Sequence, residues 1–175
     1  MEAHNTGLYT LGKGILSFDR FDDDGLPTGL RDLGNAPNFT LTPTVETLEH
    51  FSSREGLKKK DLVINLSVGV SAKFTLEEYD KQNLAMALLG TVSGNIINLL
   101  MATGGQVKGR LEFVGNPSTG PKFHVTLWKV NLKPTSEVAF ISDDWGKVDF
   151  EAEIESDDVG HPTNPYGLIN EMVGS

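Results

Sequence analysis

Hydrophobic and polar residues alternate most regularly across residues 62–74, LVINLSVGVSAKF. Leu62, Ile64, Leu66, Val68, Val70, Ala72 and Phe74 are apolar, while Asn65, Ser67, Gly69, Ser71 and Lys73 are small or polar. A period of two held this long predicts a strand with one whole face on a core and the other in water. The same pattern recurs in 147–155, KVDFEAEIE, where Val148, Phe150, Ala152 and Ile154 are expected inside. Asp149, Glu151, Glu153 and Glu155 are then expected outside, as an acidic row. Looser alternation predicts further strands at 14–21, 39–45, 106–114 and 123–132.

One segment switches period. Residues 75–90, TLEEYDKQNLAMALLG, predict a helix: Thr75 is placed to cap it while Glu78 reaches back, a capping box. Leu76, Tyr79, Asn83 and Met86 then share a stripe, with Leu84 and Leu88 beside it and Gly90 at the left-handed C-terminal position. Residues 93–102 are apolar without a clean period, and no element is assigned there. The stretch 116–121, NPSTGP, is a loop by composition, and Pro162 and Pro165 keep 157–166 from regular pairing. Residues 157–175 are therefore expected as an extended C-terminal arm. With no internal repeat and no linker, the expectation is a single domain over 1–175.

Composition supports β-structure. Nineteen glycines and eight prolines in 175 residues imply many turns. A formal charge of −9 argues against gripping nucleic acid through its phosphates. The chain has no cysteine, which removes disulfides, thiolate catalysis and zinc–sulfur sites together. The N-terminus has neither a basic nor an apolar signal-peptide region, and the longest apolar run, 96–102, is too short to span a bilayer, so no membrane role is expected.

Candidate chemistry is sparse. The stretch FDRFDDDGLPTG, 18–29, clusters four aspartates before a glycine. In the register of a calcium-binding loop, however, its first and twelfth positions fall on Arg20 and Arg31, so it reads as a tight turn. His4, His50, His124 and His161 share no metal-ligand spacing, and no nucleophile elbow or phosphate cradle is present. No enzyme, metal or cofactor is expected.

A resemblance enters through ordered motifs in the first third of the chain. These are Gly-Lys-Gly at 12–14, the aspartate-rich hairpin at 19–25, Arg-Asp-Leu-Gly-Asn at 31–35, Glu-Thr-Leu-Glu-His at 46–50 and Ser-Ser-Arg-Glu-Gly at 52–56. Together they resemble the N-terminal part of tail tube proteins (major tail proteins) of long-tailed, non-contractile bacteriophages. The resemblance implies a mainly β fold: a β-sandwich or partly open barrel with one flanking α-helix, related to the tube subunit of type VI secretion. It implies a structural subunit whose hexameric rings stack into a tube, with strands from every copy closing an inner barrel that conducts the genome. Implied partners are the chain itself and other tail proteins such as the tape measure, terminator and tail-tip proteins. DNA would pass without being specifically bound, in a virion tail assembled in the bacterial host cytoplasm.

Two surfaces follow as expectations. The segment 52–61, SSREGLKKKD, concentrates Arg54, Lys58, Lys59 and Lys60 in an acidic chain and is expected to contact a neighbouring subunit or ring. The tube lumen needs positions alternating with the core, with little positive charge and no aromatic platform for bases. Asn65, Ser67, Gly69 and Ser71 qualify on one strand, and Asp149, Glu151, Glu153 and Glu155 on another. The other function class the sequence allows is a monomeric β-sandwich binding module for a carbohydrate or a protein. Low aromatic content, with Trp128 and Trp145 in apolar or turn contexts, argues against it.

Overall fold

The computed structural model describes residues 4–173. Strand β1 (Gly14–Arg20) is followed by short β2 (Arg31–Asp32), then by β3 (Asn38–Ser52) and β4 (Lys59–Leu76), which form one long hairpin. Helix α1 (Lys81–Ala87) and the small hairpin β5 (Thr91–Ser93) and β6 (Ile96–Asn98) come next. The chain closes with β7 (Val107–Gly115), β8 (Lys122–Pro134), β9 (Val148–Ile154) and β10 (Gly167–Met172). The main sheet runs β2-β1-β7-β8-β9-β4-β3, every pair antiparallel, with β10 paired to the first half of β8. Its end strands, β2 and β3, do not pair with each other, so the sheet is not a closed barrel. The Phe39 and Phe113 rings nonetheless meet at 5.3 Å, from strands β3 and β7 that lie far apart in the order. The sheet has therefore folded over into two layers. The fold is the expected mainly β sandwich with a flanking helix.

Register explains the core. Val107, Leu132, Ala152, Ala72 and Leu41 form one row across five strands, and Pro134, Phe150, Phe74 and Phe39 form the next. Paired residues share a face, so each row puts its side chains into the same interior. Phe74 and Phe150 stack with centroids 5.2 Å apart and are almost wholly buried. Val148, Phe150, Ala152 and Ile154 are all buried, as their alternation predicts.

The helix departs from expectation. Thr75 and Leu76 belong to β4, and the helix starts only at Lys81, where the Asp80 carboxylate accepts the Asn83 N–H at 2.7 Å. The Thr75 hydroxyl instead donates to Asp149 at 2.6 Å, and Glu78 accepts the Asn35 N–H at 2.9 Å. The reason is packing: Leu76 has the sheet core to bury in, so pairing with Val148 outcompetes a local capping box. The helix also ends early. Leu89 takes the left-handed conformation at φ 50°, while Gly90 is required because a Cβ there would lie 2.4 Å from the Asn98 carbonyl. The C-terminal segment resumes pairing beyond Pro165, where β10 joins β8.

Two quoted motifs find structural work. Arg31 bonds Asp80 at 3.0 Å and Asn83 at 2.8 Å, tying β2 to the start of α1. Gly34, at φ 82°, lets Glu78 approach where a Cβ would clash. The aspartate stretch is a turn: Asp22 accepts the N–H groups of Asp24 and Leu26 at 3.0 and 2.8 Å. Buried Asp19 accepts those of Thr28 and Gly29 at 2.9 and 2.8 Å.

Candidate assembly surface: the projecting hairpin arm

Strand β9 covers β4 only at residues 71–76. Beyond Ser71 the β3–β4 ribbon continues as two strands alone, with both outer edges unpaired among the described residues. Twelve residues separate Lys59 from Ser71, so the arm extends by about 40 Å at ~3.3 Å per residue. Its large apolar residues (Val45, Leu48, Phe51, Leu62, Val63, Ile64, Leu66 and Val68) are each 44–60% exposed. An isolated two-stranded ribbon is marginally stable at best in water, and this one shows apolar groups on both faces.

This corrects the reading of 62–74 as a strand with one face on the domain's own core. Only Ala72 and Phe74 of that alternating set are buried, with Leu76 beyond it and Val70 half-buried. Leu62, Ile64, Leu66 and Val68 lie where β4 runs past the end of β9 at Ile154, and there they are exposed.

A second correction concerns the face itself. The register slips twice, between Glu46 and Thr47 and between His50 and Phe51, leaving Leu66 and Asp61 without opposite residues. A bulge inserts one residue, and one residue inverts every later side chain. On the body side of the Leu66 bulge, one face carries Thr42, Thr44, Glu46, Ser67, Gly69 and Ser71. Past it the same face carries Leu48, Ile64, His50 and Leu62, while Asn65 pairs with Thr47 on the opposite face. Asn65 therefore does not share a surface with Ser67 and Ser71.

The structure joins the two candidate lumen rows near the body. Ser71 lies beside Glu153, Lys73 beside Glu151 and Thr75 beside Asp149, so Ser67, Ser71, Glu151 and Glu153 share one polar face. That face is not wholly acidic. Lys133 bonds Glu153 at 2.6 Å, Lys73 neighbours Glu151, and Glu155 is paired with Lys108 at 2.8 Å.

At the far end, the connecting loop is shorter than 52–61, since Ser52 ends β3 while Lys59 and Lys60 open β4. Lys60 pairs with Glu49 and lies 5.9 Å from the Phe51 ring centroid. Arg54, Lys58 and Lys59 are exposed and form no ion pair among the described residues.

Elsewhere, the histidines serve local contacts: His50 with Asp61 at 2.6 Å, His124 with Glu112 at 3.4 Å and His161 with Asp157 at 2.8 Å. Lys129 and His161 hydrogen-bond Asp157 and hold its carboxyl down at about 2. The His161 ring stacks on Trp128 at 3.7 Å, and the Trp128 indole donates to the Asn164 carbonyl at 2.9 Å. Two surfaces escaped sequence reasoning. One is an apolar groove between β3, β7, β8 and β10. The other is the 135–147 loop, where Phe140, Ile141 and Trp145 are largely exposed. Trp145, read from the sequence as lying in an apolar or turn context, sits in this exposed loop.

The family described as "Protein of unknown function UCP028589" has a sequence model that matches residues 9–96, half of the chain. The chain belongs to this family. The matched residues run from the approach to β1 through the arm and α1, so the projecting hairpin lies inside the family's shared region. No curated protein matches the chain in sequence. Among solved structures, the chain is similar to one in "Cryo-EM structure of the anti-feeding prophage (AFP) baseplate, 6-fold symmetrised". The TM-score is 0.54 at 10% identity, covering 97% of each chain. At that identity the likeness shows a shared fold.

Proposed function

We propose that the chain is a structural subunit of a bacteriophage tail tube, of the non-contractile type its sequence motifs resemble. The observation that carries this reading is the arm. It offers two unpaired edges and exposed apolar groups on both faces, a surface that a lone subunit cannot satisfy. Its β3 edge and β4 edge differ, so a copy that adds one edge to its neighbour's other edge makes a head-to-tail contact, which closes into a ring when the rotation fits. Six copies would close a hexamer whose arms form one inner barrel, and stacked rings would form the genome conduit. The likeness to a chain of a prophage baseplate supports a phage-tail setting. Partners would be further copies and the tape measure, terminator and tail-tip proteins, within the virion.

On this reading the polar face of Ser67, Gly69, Ser71, Glu151 and Glu153 lines the channel near the body. Its interleaved lysines offset part of the charge of Glu46, Asp149, Glu151 and Glu153 and leave a mildly acidic wall, which suits DNA that slides and is not held. Arg54, Lys58 and Lys59 remain free to meet acids of a neighbouring copy.

Electron microscopy of the purified chain at rising concentration tests the reading, with the expected outcome being rings and stacked tubes. Monodisperse 19.0 kDa particles at every concentration would overturn it. The exposed Phe140, Ile141 and Trp145 favour the other reading, a β-sandwich binding module, which predicts such particles.

A further inference from the structure

The Leu66 bulge moves Leu62 and Ile64 off the face that continues the core and onto the face that is polar nearer the body, where they join Leu48. A channel wall cannot continue through that apolar triplet, so the channel-lining stretch stops at the bulge. Something other than water must cover the triplet. At the root of the same arm lies an unfilled apolar groove of about 410 Å³, lined by Phe39, Leu41, Phe113, Phe123, Val125 and Ile169.

The geometry points to a contact in which the far half of one arm, through Leu48, Leu62 and Ile64, seats on the groove of a second copy of this chain. The proposal rests on the self-assembly reading above and assigns its donor and acceptor surfaces. A chain cannot fill its own groove. Leu41 of the groove and Leu48 of the triplet lie on the same continuous strand, seven residues or about 24 Å apart, with the arm running away from the body.

Charge supports a second copy as the occupant. The outer end of the arm carries Arg54, Lys58, Lys59 and Lys60, whereas the whole chain is −9. Glu171, paired opposite Phe123, places an acid at the groove's edge. An arm seated on a different surface of its neighbour is a head-to-tail contact, so it repeats from copy to copy without using itself up.

The absence of cysteine makes a direct test available. One chain carries Leu62→Cys and another Ile169→Cys; they are purified apart, mixed and treated with a short bismaleimide. The expected result is a covalent heterodimer at least fivefold more abundant than with Ser156→Cys, an exposed control, in place of Ile169→Cys. Independently, Ile169→Asp should raise the concentration for half-association about tenfold or more, with the melting temperature of the dilute chain unchanged. A heterodimer yield no higher than the control, or an Ile169→Asp chain that associates as the parent does, overturns the contact. Rings without the cross-link leave the tube reading standing and sink the docking. A cross-link without rings does the reverse.

Discussion

Val68 and Phe74 lie on the same strand and the same face, six residues apart, yet they should respond to mutation in opposite ways. Phe74 is 1% exposed and stacked on Phe150, so Phe74→Ala leaves a cavity in the core. Such a change costs about 3–5 kcal/mol, which lowers the melting temperature of a domain this size by roughly 10 °C. Val68 is 60% exposed in the single chain. Val68→Asp should therefore move the melting temperature of dilute protein by no more than about 2 °C, an ordinary surface change. In the assembly the balance reverses. Full burial of a valine contributes about 1.5–3 kcal/mol, so covering the remaining surface is worth about 1–2 kcal/mol per copy. An unpaired carboxylate in its place adds a desolvation cost of roughly 3 kcal/mol or more. Together these raise the concentration needed for assembly by about a thousandfold. Circular dichroism melts at low concentration, with sedimentation velocity over a concentration series, separate the two effects. If Val68→Asp melts as early as Phe74→Ala, or assembles at the parent's concentration, the arm is not an interface.

Reversing Lys58, Lys59 and Lys60 to glutamate should leave the dilute chain folded, because all three are surface groups and only Lys60 has an ion-pair partner, Glu49. Tube formation should stop; normal tubes from this variant would show that the cations make no contact that matters. Replacing Ser71 and Glu153 with lysine should slow DNA ejection from reconstituted phage while tubes still form, and unslowed ejection would place the polar face outside the channel. Acid should loosen the 157–166 segment. Lys129 and then His161 depress the Asp157 carboxyl from 3.8 to about 2. A depressed carboxylate contributes stability that is present above its unfolded value and lost as pH falls through the folded one, here between about pH 4 and 2. Trp128 emission, read in a Trp145→Phe background, should shift to the red across that window, and Asp157→Asn should abolish the transition; an identical transition in Asp157→Asn would refute the assignment.

Much of this molecule is local and was legible in the residues. The 147–155 alternation marked Val148, Phe150, Ala152 and Ile154 as buried, and they are, because a short central strand with neighbours on both sides buries whichever face is apolar. Turn chemistry at the aspartates was equally legible, since Asp22 closes the loop through bonds no more than four residues away. Other outcomes depended on what lies across space. Whether Thr75 capped a helix or extended a strand was decided by Val148 and Asp149, more than seventy residues distant. The 62–74 stretch shows the limit most plainly. Alternation states which side chains need cover, but it is silent on whether the cover comes from the same chain. The ribbon runs past the end of β9 at Ile154, which leaves Leu62 to Val68 exposed, and the unpaired Leu66 puts Leu62 and Ile64 on the side opposite Val68. Both are properties of neighbouring strands, fixed by where pairing stops, and no period within 62–74 contains them.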